Sequence, residues 1–173
     1  WLTGNSTAVL NSNGTMNVTN TARGWNNQNM ALPVNGALFV ACSGGGCSGG
    51  GSLTISGTLD GRLTVGAQRD IIIPNNIVYA NDPRDDDPIN YPELCSDDVL
   101  GLISERNVRI TNSAPSALEI DGCVMAMNTS FMRDSYSSGL KGTLTVYGGI
   151  IQDQRGPVGT FNGSTGVKLS GYD

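Results

Sequence analysis

Arg84-Asp85-Asp86-Asp87 is the tightest run of ionisable side chains in this chain. Adjacent carboxylates suit two chemistries. A hard cation such as Ca²⁺ takes several oxygen ligands, and polysaccharide cleavage uses paired carboxylates. Neither pattern is complete here. No glycine or distal glutamate stands at the offsets of an EF-hand loop. Glycoside hydrolysis needs two carboxylates held about 5–9.5 Å apart across the scissile bond, and nothing visible in a proline-rich loop holds neighbours that way. A lyase needs an arginine or lysine base beside calcium carboxylates, and Arg84 beside Asp85 is a weak form of that pattern. The plainer reading is a solvated acidic loop without metal. The chain contains no histidine, which removes Ser-His-Asp triads and most zinc enzymes. We expect no catalysis and no cofactor.

The cysteines are the second group. Cys42 and Cys47 bracket Ser43-Gly44-Gly45-Gly46, a loop flexible enough to bring the sulfurs together. Cys95 and Cys123 remain as a second pair. A zinc site is the alternative, but no C-x-x-C clip is present and no histidine can help. Unpaired thiols are the other alternative. Two disulfides are the favoured reading, with the longer loop stabilising more: about 3.6 kcal/mol against about 2 kcal/mol in the chain-entropy model. An oxidised pair implies an extracytoplasmic location.

The third group is basic. If Val108 and Ile110 face a core, Arg109 faces out. If Leu144 and Val146 face in, Lys141 faces solvent. Arg106 and Arg133 fall in corners or loops. With Arg155 and Lys168, these side chains would line one edge and contact phosphates. The bland alternative is solubility charge paired with Glu105, Asp134 and Asp153. Net charge is −5 and the pI about 4.5, so no basic footprint exists at whole-chain level. Tyr91, Tyr136 and Trp25 are candidates for base stacking, but no aromatic–basic interleaving appears.

What must position these residues is a set of short strands. Gly61-Arg62-Leu63-Thr64-Val65, Leu100-Gly101-Leu102-Ile103 and Gly142-Thr143-Leu144-Thr145-Val146 each alternate apolar with small or polar residues. Asn107-Val108-Arg109-Ile110 repeats Asp70-Ile71-Ile72-Ile73 at a spacing of 37, and the Gly61 and Gly142 copies lie 81 apart. One such strand pair cannot bury its apolar face alone, whereas stacked copies can. The 24 glycines and the 14% charged content suit tight turns rather than helices. We therefore expect an all-β fold: a right-handed parallel β-solenoid (β-helix) with a projecting acidic, proline-rich loop.

The expected boundaries are one domain over 1–173, with an irregular, short-stranded part at 1–35 and a loop insertion at 81–97. Within the first part, Thr7–Leu10 and Thr15–Thr19 flank an Asn13-Gly14 turn, and 23–35 reads as loop. The insertion carries three prolines and four aspartates between Asn81 and Pro92, so it cannot be a central strand. No apolar run reaches the roughly 18 residues of a membrane span. No signal peptide is visible, so the chain reads as an excised mature domain. Sequons at Asn5, Asn13, Asn17, Asn128 and Asn162 are expected by chance in so Asn- and Thr-rich a chain.

Three strings carry a family resemblance: Gly101-Leu102-Ile103-Ser104-Glu105-Arg106-Asn107-Val108, Ile120-Asp121-Gly122-Cys123-Val124-Met125-Ala126, and Val146 to Gly159 with its Gly148-Gly149 and Gly156-Pro157 corners. Together they resemble a bacterial β-solenoid domain found downstream of PilX-like pilin helices. They are also similar to the solenoid insertion of ComZ-type competence minor pilins. The resemblance covers roughly 55–173. It implies a non-enzymatic module on the cell surface, partnered by other pilins of a type IV pilus. It also implies capture of extracellular DNA in natural competence, with Arg106, Arg109, Arg133 and Lys141 as the candidate contacts. The rival is a carbohydrate-binding or adhesive solenoid; a third possibility is an inactive relative of polysaccharide lyases.

Overall fold

Alternation of buried and exposed side chains sets the strands. The computed structural model describes residues 1–48, 50–91, 95–160 and 166–168, and about half of these are strand, with no α-helix. In chain order the strands are β1 (Leu2–Thr3), β2 (Ser6–Asn11), β3 (Thr15–Asn20), β4 (Trp25–Ala31), β5 (Ala37–Ala41), β6 (Leu53–Leu59) and β7 (Arg62–Ala67). Then come β8 (Ile71–Ile73), β9 (Ile77–Tyr79), β10 (Val99–Ser104), β11 (Val108–Ile110), β12 (Leu118–Asp121) and β13 (Cys123–Ala126). Last are β14 (Phe131–Arg133), β15 (Leu140–Lys141), β16 (Leu144–Tyr147), β17 (Ile150–Gln152), β18 (Gly159–Thr160) and β19 (Gly166–Lys168).

One sheet is wholly parallel: six strands in the order β1-β5-β7-β10-β13-β17. Its registers align Leu38, Val65, Leu102 and Val124 in a single inward column, which Ile150 continues in register but exposed on the last strand. A ten-stranded sheet carries two further columns. Its β8 run aligns Leu53, Ile71, Val108 and Phe131. Its β9 run aligns Leu10, Gly57, Ile77, Ile120 and Val146. From β7 onward the chain visits the three in turn: β7, β8, β9, then β10, β11, β12, then β13, β14, β16. All three columns feed one core, in which Ile55, Val65, Ile71, Ile77, Leu102 and Ile120 are fully buried. Each such side chain contributes about 1.5–3 kcal/mol by leaving water.

Spacing and position agree for one repeat and part company for another. Val108 stacks on Ile71, 37 residues earlier, as the repeat predicts. The Gly142 copy lies on β16 in the β9 run, whereas the Gly61 and Leu100 copies stack as β7 and β10 in the six-stranded sheet. The same glycine–strand pattern serves any of the columns, so likeness alone does not assign one.

The N-terminal part is more ordered than expected. β2, β3 and β4 form an antiparallel meander, with Asn13-Gly14 in the first turn. Trp25–Ala31 is therefore a strand and not loop. Its residues show no apolar alternation because it is an edge, held by backbone pairing and by a side-chain amide: Asn29 Nδ2 donates to Asn17 Oδ1 at 2.7 Å and to Thr15 Oγ1 at 3.3 Å. The β3–β4 register shifts between Val18 and Asn20, and Asn27 takes a left-handed φ of 54°.

Cys42 and Cys47 are joined in a disulfide. Cys95 and Cys123 are not joined, which corrects the second expected bridge. The Cys95 thiol faces the Tyr91 carbonyl at 3.7 Å, within its own loop, while Cys123 stands exposed on β13. Unreduced protein should therefore show two alkylatable thiols and gain two hydrogens on reduction. Four blocked cysteines in intact mass would contradict this pairing.

Asp98 closes the base of the acidic insertion. Its Oδ1 accepts the Gly61 N–H at 2.6 Å and its Oδ2 the Asn81 N–H at 2.9 Å. A buried carboxylate with two charge-assisted backbone bonds is well satisfied.

Candidate functional site

The four expected DNA contacts do not form a patch. Arg106, after β10, is exposed. Arg109 points outward from β11 as expected, but it is already engaged: Nε donates to Asp134 Oδ1 at 3.0 Å, Nη2 to Asp134 Oδ2 at 2.8 Å and Nη1 to Asp70 Oδ2 at 3.3 Å. These two carboxylates raise its pKa. The Lys141 ammonium turns back to the carbonyls of Asn112 (3.1 Å) and Ala114 (3.5 Å). Arg133 is only 3% exposed. It is not in a corner: β14 places it on the inward register after Ile73 and Ile110. Alternation along Phe131-Met132-Arg133 decides its side, not its charge. The Lys168 side chain and the Asn162 sequon lie outside the described residues.

The acidic loop is not a free projection. Pro83–Asp85 forms a 3₁₀ turn capped by Asp82, which sends the Arg84 side chain back onto the β9 run. Arg84 Nε donates to both Asp82 oxygens at 2.8 and 2.9 Å, and Nη2 donates to Glu119 Oε1 at 2.8 Å. The same Nη2 lies 3.6 Å from Asp121 Oδ1, and the guanidinium stacks 4.7 Å over the Tyr147 ring. Glu119 and Asp121 share a face of β12 because strand side chains alternate. Tyr147 reaches them because β16 pairs with β12 in parallel, Asp121 against Tyr147.

Three carboxylates around one guanidinium give each group a distinct electrostatic state. The hydrogen bond from Arg84 lowers the pKa of Asp82. Burial raises that of Asp121, whose Oδ2 accepts the Tyr79 N–H while Oδ1 has no hydrogen bond. Hydrogen bonds to Asp82 and Glu119 raise that of Arg84. Two of the three aspartates considered for Ca²⁺, Asp86 and Asp87, are occupied within the loop. Asp86 accepts the Ser96 N–H at 3.0 Å on both oxygens, and Asp87 accepts from the Ile89 and Asn90 amides and the Asn90 side chain. Among the described residues no group of three or more His, Cys, Asp or Glu side chains is arranged to hold a metal.

Arg84→Ala should destabilise increasingly as pH rises from about 3 to 6. Asp82, with its pKa depressed, stabilises the fold above the ordinary aspartate range near 3.9 and loses that contribution as pH falls. Asp121, with its pKa raised, costs stability as pH rises through its titration, and Arg84 offsets part of that cost. Removing Arg84 deletes both benefits at the high end only. Parallel Tm-against-pH curves for the two proteins would contradict the placement.

Two surfaces lie apart from these charged groups. On the outer face of the six-stranded sheet, Phe39, Gly66, Ile103, Met125 and Ile151 are register partners. The Phe39 ring lies over Gly66, where an added Cβ would sit 2.6 Å from Phe39 Cδ2. Trp1 packs edge-on against Phe39 at 6.1 Å. The result is an outward apolar column, with Phe39, Ile103 and Ile151 exposed and Val99 and Met127 beside it. At roughly 4.8 Å per strand it spans about 19 Å. On the outer face of β2 and β6, a groove of about 330 Å³ is lined by uncharged hydroxyl and amide groups, among them Asn5, Thr7, Thr19, Thr21 and Thr54.

No family model, curated protein or solved structure matches the chain. The site therefore rests on its geometry. Residue type directs attention to Arg133 and Lys141, while the apolar column and the Arg84 cup go unread. The signal for the column is present in Leu100-Gly101-Leu102-Ile103, where apolar residues fall on both phases of the alternation.

Proposed function

We propose that this chain is a right-handed parallel β-solenoid serving, without catalysis, as an extracellular contact module of a minor pilin. The cyclic visiting order of the three columns supports the solenoid. The disulfide is compatible with an extracellular setting. No helix of the described residues is long and apolar enough to cross a membrane.

The observation that carries the contact role is the apolar column across the six-stranded sheet. A contiguous exposed apolar stripe marks an interaction surface more often than scattered exposed residues do, and its apolar character fits a protein subunit of the same filament. The test is an Ile103→Asp, Ile151→Asp double variant in the full-length protein. Normal melting with loss from the sheared pilus fraction supports the reading; normal incorporation overturns it.

DNA capture is the second reading, favoured by exposed Arg106 and by the resemblance in the stretch around it. With Arg109 and Lys141 engaged internally and Arg133 buried, few phosphate contacts remain, so log K against log salt should have a slope near −1 rather than −3 on duplex DNA. Titrating labelled duplex at several salt concentrations with the wild type and Arg106→Ala tests it. A slope steeper than about −2 would restore a multi-cation surface, and no binding at low salt would remove DNA from the account.

A further inference from the structure

We propose that Arg133 and Lys141 form a binding site for one monatomic anion of chloride size, at the corner between β14 and β16. Arg133 carries an uncompensated charge. Arg133 enters the core in register with Ile73 and Ile110, and among the described residues its guanidinium has no hydrogen bond and no ion pair. Its Nη1 is fully buried without a partner. Burial alone lowers its pKa, with no carboxylate acting the other way. Arginine does not lose its proton in proteins, so the charge persists. A buried charge without a counter-ion is costly enough that proteins pair it.

The cavity beside it has the groups that an anion needs. Arg133, Lys141, Ser116 and Thr143 line it, with Ile110 and Leu144 closing the apolar side. The centre of a water-sized sphere has about 10 Å³ to move in, so the space takes one particle a little wider than water, such as a halide, and is tight for a whole sulfate or phosphate. Lys141 is held in place by the carbonyls of Asn112 and Ala114. An ammonium has three protons, so one remains to donate. Ser116 Oγ accepts the Gly142 N–H at 2.9 Å, which leaves its own proton free to donate. Arg133, Lys141 and Ser116 thus bring donor-bearing side chains to this lining from three separate segments, and no carboxylate lines the space. A water there would leave two positive charges uncompensated.

The site ties the loop 111–117 to the strand that follows 134–139, so its occupancy is felt as stability. It does not depend on what the outer surface binds. The test compares Tm of the chain in sodium chloride and in sodium gluconate at equal ionic strength. Chloride about tenfold above its Kd should raise Tm by about 3–6 °C, and Tm should then climb with the logarithm of chloride concentration. Arg133→Met keeps the length and removes the charge; it should lose the chloride dependence and melt no lower than wild type in gluconate. Should that variant fail to fold, Lys141→Met should still fold and show a weakened dependence. Crystals soaked in bromide should give an anomalous peak between Arg133 Nη1 and Lys141 Nζ. An identical Tm in the two salts, an unaltered chloride response in Lys141→Met, or a water in place of bromide would each overturn the proposal.

Discussion

Gly57→Ala should all but abolish the fold. Gly57 sits within β6, where the strand turns from the β8 run into the β9 run with φ near +114°. An added Cβ would fall on the Leu10 carbonyl oxygen and lie 2.8 Å from the Leu10 amide nitrogen. Those are backbone atoms of the adjacent strand and cannot rotate away. Strain in a sparsely populated φ region costs about 1–3 kcal/mol. Separating β2 from β6 to relieve the clash would break the ladder that begins the stack. A total of about 3–5 kcal/mol is a large share of the stability of a domain this size. Gly45→Ala is the control: a Cβ there meets nothing within 4 Å, so its urea midpoint should match wild type. Equal midpoints for the two variants would show that the strands do not approach each other as described.

Leu102→Ala should cost about 2–5 kcal/mol, and Ile103→Ala less than about 0.5 kcal/mol. The two side chains are neighbours on β10 with opposite fates. Leu102 is fully buried between Val65 and Val124, and its removal leaves a cavity that fixed backbones on both sides cannot close. Ile103 faces outward in the apolar column, 36% exposed. Denaturant melts read this difference directly. A reversed order would mean a one-residue slip, which would exchange the core and outer faces of the strand.

Local alternation makes much of this fold legible. The Asp70 and Asn107 segments announce their stacking because they are in register, strand on strand, with no bulge between them. The Cys42–Cys47 bridge is legible because its loop is short and rich in glycine. Arg84 is not, since its partner Glu119 lies 35 residues away on a strand whose neighbours only the fold defines. Arg133 misleads because chemistry by residue type says surface, while the pleat says core. β4 carries no pattern at all: its polar residues form a strand because β3 offers them a partner. Cys95 and Cys123 invite pairing by elimination, a count that takes no account of where their strands and loops end.

The outer edge of β4 has one more bearing on how the molecule behaves at high concentration. Trp25–Ala31 is an edge strand rich in asparagine and glutamine, the composition from which cross-β fibres nucleate when such a strand is flat and open. Here the register slip opposite Val18 and the left-handed Asn27 bend it, so its free amides do not form a continuous row. A second chain seeking to add there finds no straight template. That irregularity protects concentrated protein from seeding fibres at this edge.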